Sequence, residues 1–246
     1  MKILWICGLP EDVRRVHPVT NVKSAAWSWI LGHLPPTKDV ELHILCPVFA
    51  MRDAEVHFNH NGVHWHCFRL KRFEPLFLRL RFYFSIRKFV KGLKPDVIHG
   101  WGGESGCGLL ATYCSPYAVV SVQGLLRMLC ANTSRWKISI PECGSVSSWF
   151  RRLLEGWTYR RAHLLLVESE TAADSLRELY GLEGEVVLHP LRQEFLNHEI
   201  HEKHEKECVF LFVGQMTERK GAMDALTAFS ELNDKFARLL MVGSGI

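Results

Sequence analysis

The stretch Val209-Phe-Leu-Phe-Val-Gly-Gln-Met-Thr-Glu-Arg-Lys-Gly-Ala-Met-Asp224 decides the fold. Its apolar run, Val209 to Val213, stops at Gly214, and a short polar turn leads to Lys220-Gly221. A helical pattern opens there through Met223, Leu226, Thr227, Phe229, Ser230 and Leu232. A second apolar run, Leu239 to Val242, ends in Gly243-Ser-Gly245. Strand, glycine turn, helix and strand make one βαβ unit, and fully apolar strands suit a parallel sheet covered on both faces. Ligands of such sheets bind outside the carboxyl ends of the strands. Gly214, Lys220, Gly243 and Gly245 therefore share one rim, beside a helix N-terminus that favours anions.

The same alternation runs back through the chain. Apolar strands are predicted at Lys2 to Cys7, Val40 to Cys46, Val97 to His99, Ala118 to Val122, Leu164 to Val167 and Glu185 to Leu188. Glu55 to Phe58 and Val63 to Phe68 flank Asn61-Gly62, a strong hairpin signal. Helical patterns cover 19 to 34, 75 to 92, a short run to Tyr113, 147 to 162 and 171 to 180. Strands alternating with helices predict an α/β fold built on a doubly wound parallel sheet. The polar run Asn197 to Lys206 is the one clear boundary. It separates a domain over 1–197 from a segment over 208–246, with 198–207 as linker.

Composition narrows the function classes. Over 246 residues the apolar fraction is 48%, the charged fraction 23% and the net charge only +4, so the whole chain need not bind nucleic acid. No apolar run reaches the ~18 residues of a membrane span, and the N-terminus is too short for a signal-peptide core. A cytoplasmic location is expected. Eight cysteines at 7, 46, 67, 107, 114, 130, 143 and 208 form no Cys-x-x-Cys pair and read as buried thiols. His64-Trp-His66 would put two imidazoles on one strand face without a third ligand nearby, so no metal site is expected. His198, His201 and His204 lie in the linker and suggest at most adventitious metal binding.

Two further stretches invite functional readings. Gly100-Trp-Gly-Gly-Glu-Ser-Gly106 follows a strand and opens a helix, so its backbone N–H groups could approach a phosphate or sugar. Tight packing explains the same glycines equally well. A dinucleotide site is disfavoured, because no strand-end acid follows about 20 residues on. Trp101, Gly102 and Glu104 are the candidate contacts in this loop. Residues 69 to 94 hold nine Lys/Arg against one acid, Glu74, interleaved with six aromatics. That mixture suits an anionic membrane surface, and equally a core helix with a solvated basic edge.

The motif Gly214-Gln215, Lys220-Gly221, Ala228-Phe229 and Gly243-Ser-Gly245 resembles the opening of the donor-binding domain in family 4 glycosyltransferases, retaining enzymes of GT-B architecture. Pro95-Asp-Val-Ile-His99, Glu155, Arg161-Ala162 and Ser169-Glu170 are similar to that family's signatures earlier in the chain. The resemblance implies a Rossmann-like acceptor-side domain followed by the first βαβ unit of a nucleotide-sugar-binding domain. It implies that Lys220 holds the donor diphosphate. Gln215 stands where the family has an arginine, and a neutral amide replaces a charged fork. Gln123 occupies the place of a cleft histidine and cannot act as acid or base, which leaves the catalytic residues unknown. His163 replaces an aspartate, and His189-Pro190 lacks the usual Asn-Gly.

The expected activity is transfer of a sugar from a nucleotide-sugar donor to a glycan or lipid-linked acceptor, with no metal and no other cofactor. An incomplete donor domain is expected to leave these residues alone with little turnover. The alternative is a non-catalytic glycosyltransferase-like binding module, which Gln123 and Gln215 both favour. Expected partners are the nucleotide sugar, the acceptor and an anionic membrane surface met through Arg69 to Lys94, but no nucleic acid.

Overall fold

A computed structural model of the chain describes residues 1–20, 39–70, 76–103, 106–128, 146–188, 208–217, 220–232, 234 and 236–243. Contacts divide the chain into two compact units, Met1–Asn132 with Pro141–Pro190, and Thr133–Ile140 with Leu191–Ile246. The helix expected over 19 to 34 and the linker over 198 to 207 lie outside the described residues, apart from the first two positions of that helix.

The first unit carries an eight-stranded sheet in the order β3-β4-β2-β1-β5-β6-β7-β8. Its strands are β1 (Lys2–Ile6), β2 (Glu41–Phe49), β3 (Glu55–His60), β4 (Val63–Leu70), β5 (Val97–Trp101), β6 (Val119–Val122), β7 (Leu164–Val167) and β8 (Glu185–Val186). Every neighbouring pair is parallel except β3–β4, the antiparallel hairpin turning through Asn61-Gly62. The sequence therefore builds the doubly wound sheet that its alternation predicts. One short helix, α1 (Glu11–Val16), was not signalled by any long apolar period.

Parallel strands need cover on both faces, and three apolar clusters supply it. Leu4, Ile6, Leu45, Phe68 and Ile98 pack under α2 (Leu76–Leu93) and α3 (Cys107–Cys114). On the other face Ile44, Cys46, Val48, Trp65 and Cys67 close on Leu9 and Val13. Val120, Val122, Leu165 and Val167 pack against Tyr159 of α4 (Val146–Arg161) and against Ala173, Leu176 and Tyr180 of α5 (Glu170–Tyr180). Helix α2 buries Ile86 and Val90 and half-buries Phe82, Tyr83, Phe89 and Leu93, while Arg81, Phe84, Arg87, Lys88 and Lys91 are exposed. Its described part is thus a core helix with a basic outer edge.

Helix α3 lies unusually close to the sheet. A Cβ on Gly100 would stand 2.7 Å from Gly108 Cα and 2.8 Å from Cys107 O. Gly100 within β5 thus permits close helix–strand packing.

The second unit holds β9 (Cys208–Val213), α6 (Ala222–Glu231) and β10 (Ala237–Val242), with β9 and β10 parallel. Phe210 meets Phe229 of α6 at 6.0 Å between ring centroids. Val209, Leu211, Val213, Leu240 and Val242 are exposed, so one face of this pair is uncovered.

Replacing Gly100 by alanine drives a methyl into backbone atoms and should destabilise the first unit by about 1–3 kcal/mol, the range for overpacking. Urea unfolding checks this, and a change below about 0.5 kcal/mol would show that α3 can withdraw freely.

Candidate functional site

In the first unit the strand order reverses between β1 and β5. Ligand crevices of open α/β sheets form at such a switch point, beyond the carboxyl ends of the strands. Three aromatic rings are packed there. Trp101 lies 5.2 Å from Trp5 and 5.0 Å from His99 between centroids. His99 Nε2 lies 2.7 Å from Ser121 Oγ, tying β5 to β6. Burial pushes the His99 imidazole down to about 4, so it is neutral at physiological pH. Asp96 accepts from the Lys2 backbone N–H at 2.6 Å, so Pro95-Asp96 fixes the start of β5 beside β1.

The candidate loop residues fall into different roles. Gly102 is buried; its N–H donates to Ser121 O at 2.9 Å and its carbonyl accepts from Gly108 N at 3.0 Å. Both groups of Gly102 are thus engaged within the fold and not presented to a ligand. Gly103 abuts Tyr159, where a Cβ would stand 2.5 Å from the ring. The packing reading therefore accounts for Gly100, Gly102 and Gly103. Trp101 keeps partial exposure, and Glu104 lies outside the described residues.

Gln123 follows β6 directly. Its Nε2 is buried and has no hydrogen-bond partner among the described residues. A buried amide nitrogen left with two unused donors is costly.

Beneath Gln123 lies a clasp that spacing alone does not reveal. Glu155 of α4 is fully buried. Its Oε1 accepts from Leu126 N at 2.9 Å and faces Tyr159 Oη at 3.5 Å. The Tyr180 hydroxyl donates to Oε2. Tyr159 also donates to Gly124 O at 3.3 Å. Arg127 donates to Leu179 O at 3.0 Å and lies over the Tyr180 ring. These bonds fasten the segment from Gly124 to Arg127 to α4 and α5, and so hold Gln123 at the strand end. Burial raises the Glu155 carboxyl above its ordinary range, and the donors from Leu126 and Tyr180 oppose that. Ser169, next along, caps α5 by accepting from Ala172 N at 3.2 Å.

In the second unit the strand ends touch. Gly214 N donates to Val242 O at 2.9 Å, and a Cβ on Gly243 would fall 1.6 Å from Gly214 O. Only glycine fits at 243. The chain then turns from β9 into α6: Thr217 N donates to Gln215 O at 2.8 Å and Lys220 N to Thr217 O at 3.1 Å. Gln215 and Lys220 are exposed on this turn. The Thr217 hydroxyl is buried without a partner among the described residues. Asp224 sits in the first turn of α6, where its charge complements the helix dipole and would compete with a bound anion. Gly245 lies outside the described residues. The described residues thus bring Gly214, Gln215, Lys220 and Gly243 to one rim of the second unit, and Trp101 and Gln123 to one rim of the first.

Comparison with known proteins bears on the family and the fold. Residues 35–192 match the family model described as glycosyl transferase 4-like domain. No curated protein sequence matches. Sucrose-phosphate synthase from Thermosynechococcus elongatus is similar in structure, with a TM-score of 0.61 and 16% identity over 99% of this chain and 62% of that one. An E. coli trehalose-6-phosphate structure bound with UDP-2-fluoro glucose follows at 0.51 and 9%, over 100% of this chain and 65% of that one. The chain therefore spans less than two thirds of either one's length, and at these identities the likeness shows the fold.

Two outcomes test this geometry. Glu155→Gln puts an amide N–H₂ against a hydroxyl or N–H donor and should cost about 2–3 kcal/mol, with Tyr180→Phe costing about 1–2 kcal/mol. Equilibrium unfolding measures both, and a neutral Glu155→Gln would remove the clasp. Unfolded, His99 titrates near 6.5; folded, near 4. Stability should therefore be full above about pH 6.5 and fall as pH drops toward 4, by at most about 1.4 kcal/mol per unit from this residue. Urea midpoints at pH 7.5 and 5 should converge in His99→Gln relative to the parent.

Proposed function

From the premise that this chain belongs to the glycosyl transferase 4-like family, we propose that it moves a sugar from a nucleotide-sugar donor to a glycan or lipid-linked acceptor. Residues 1–197 form the acceptor side, 198–207 the linker, and 208–246 belong to the donor side. The observation that carries this reading is the β9–α6 turn, where exposed Lys220 stands just before the α6 N-cap and the buried Thr217 hydroxyl has no partner among the described residues.

Cleavage of the donor's glycosyl bond builds negative charge on the departing diphosphate. A cation held in place before the reaction stabilises that charge without reorganising. Lys220 supplies the ammonium, the α6 N-terminus adds its dipole, and Gln215 offers a neutral amide in place of a charged fork. On the acceptor side the open Nε2 of Gln123 suits an acceptor hydroxyl or carbonyl oxygen, and Trp101 offers a ring for a sugar face. This reading requires no metal and no nucleic acid.

A second reading is a binding module without turnover, favoured by Gln123, which cannot act as acid or base, and by Gln215, which lacks the charge of an arginine. Peripheral attachment at the inner membrane face is a finer expectation, supported by exposed Phe84 among Arg81, Arg87, Lys88 and Lys91.

Calorimetric titration with UDP-, GDP- and ADP-sugars, followed by product assay, separates these. The expected result is binding of one donor class, weakened about tenfold by Lys220→Ala, equivalent to about 1.4 kcal/mol for one charge-assisted contact. Binding without transfer by the full-length protein selects the module. Equal affinity of parent and Lys220→Ala for the bound donor removes Lys220 from the site. Anionic vesicles should retain the chain in a salt-sensitive way if α2 meets the membrane; equal binding to zwitterionic vesicles excludes that.

A further inference from the structure

Strands β2, β4 and β3 place an unexpected group of side chains on one sheet face. Residues two apart on a strand share a face, so Glu41 and His43 point together, as do His64 and His66. The β2–β4 register sets His43 beside His64 and Leu45 beside His66. The β3–β4 register sets His57 opposite His66. His64-Trp-His66 therefore does not stand without a third ligand, as its local spacing suggests: the neighbouring strand supplies it.

The contacts are close. His43 Nε2 lies 2.8 Å from Glu41 Oε1, and the His43 and His64 rings stack at 4.7 Å. One ligand atom each from Glu41, His43 and His64 lies within 4.8 Å of the others. Behind them His43 Nδ1 meets His66 Nε2 at 2.9 Å, and His66 Nδ1 meets His57 Nδ1 at 2.9 Å. Glu55 Oε2 stands 3.6 Å from His57 Nε2. Phe89 of α2 packs on the His66 and His57 rings. Lys2 Nζ lies 3.7 Å from Glu41 Oε2 and is the competing cation.

We infer that Glu41, His43 and His64 form a binding site for a borderline divalent transition-metal ion of the Zn²⁺ type, oriented from behind by His66 and His57. Two imidazoles and a carboxylate suit Zn²⁺, whose sites take nitrogen and oxygen donors about 2.0–2.2 Å from the ion. Mg²⁺ and Ca²⁺ call for oxygen donors, and the set offers only one carboxylate.

The histidine chain is built to support the ligand. A carboxylate can only accept, so neutral His43 donates from Nε2 to Glu41. Its bare Nδ1 then accepts from His66 Nε2–H, and the bare Nδ1 of His66 accepts from His57 Nδ1–H. A metal on His43 Nε2 displaces one proton to solvent. The chain then reverses: His43 Nδ1–H donates to His66 Nε2, His66 Nδ1–H donates to His57 Nδ1, and His57 Nε2 takes up one proton toward Glu55. Every link survives, each imidazole stays neutral and the proton count is unchanged. In the reversed order His43 donates its other N–H to a fixed acceptor, the support that metal-binding histidines ordinarily have.

The site joins β2 to β4 and uses no residue of either rim described above, so it stands or falls independently of the transferase reading. The test is titration of the EDTA-stripped chain with Zn²⁺ and Co²⁺ at pH 7.5. One ion should bind per chain, Zn²⁺ should raise the melting temperature, and Co²⁺ should show visible ligand-field bands without a thiolate charge-transfer band.

His64→Asn and Glu41→Gln, on side chains at least partly exposed, should each weaken binding at least tenfold while leaving the far-ultraviolet spectrum unchanged. His66→Gln should weaken it about 10- to 100-fold, as loss of an outer partner does. Replacing His198, His201 and His204 together by alanine should change nothing. The inference is overturned if the parent chain binds no Zn²⁺, if His64→Asn and Glu41→Gln bind like the parent, if the triple variant loses the ion, or if a thiolate band appears.

Discussion

The pairing of β1 with β5 governs the first unit. Lys2 and Asp96 are linked twice, by the carboxylate of Asp96 on the Lys2 N–H and by the Asp96 N–H on Lys2 O. That fixes the register in which Ile3 lies beside Val97 and Ile6 beside Gly100. From there the sheet grows in opposite directions, toward β2 and β4 on one side and toward β6 to β8 on the other. Open sheets place ligand crevices beyond the strand ends where the order reverses, as it does at this pair. A one-residue slip would turn Leu4 and Ile6 out of the core beneath α2 and α3 and bring Trp5 into it.

Function-like sequence features here divide into those that hold the fold and those left open to a ligand. Gly100, Gly102 and Gly103 are absorbed by helix packing and by the loop's own hydrogen bonds. Asp96 anchors a strand, and Ser169 caps a helix. Glu155 is a buried carboxylate, costly in itself, and is retained in a cage of donors from Leu126, Tyr159 and Tyr180. Its product is the fixed position of the segment from Gly124 to Arg127 after β6. Among the described residues, the buried polar atoms with no hydrogen-bond partner include the amide nitrogen of Gln123 in one unit and the hydroxyl of Thr217 in the other.

The second unit shows the same division on a smaller scale. Gly214 and Gly243 approach so closely that no side chain fits at 243, and this contact shapes the turn that carries Lys220. The sheet face away from α6 leaves Val209, Leu211, Val213, Leu240 and Val242 exposed. Apolar strands of this kind are stable in a sheet covered on both sides. Membership of the glycosyl transferase 4-like family rests on the first unit, where the family match lies almost wholly. The proposed donor chemistry rests on the second.

Local pattern was enough for the alternation of strands and helices, the hairpin at Asn61-Gly62, the parallel sheet and the rim holding Gly214, Gln215, Lys220 and Gly243. Those features follow from period, turn chemistry and apolar runs, all of which are written within a dozen residues. Helix α2 needed its neighbours: its aromatics fall on several sides, and only the sheet beneath shows that Phe82, Ile86, Phe89 and Val90 face inward while the basic residues do not. The short α1 lacks a period long enough to read. Pairing between distant strands decided the rest. Glu155 meets Leu126 and Tyr180 across separate elements, and His43 meets His64 and His66 through a register that no one-dimensional spacing records. Sequence determines which side chains share a face; the fold alone determines which faces meet.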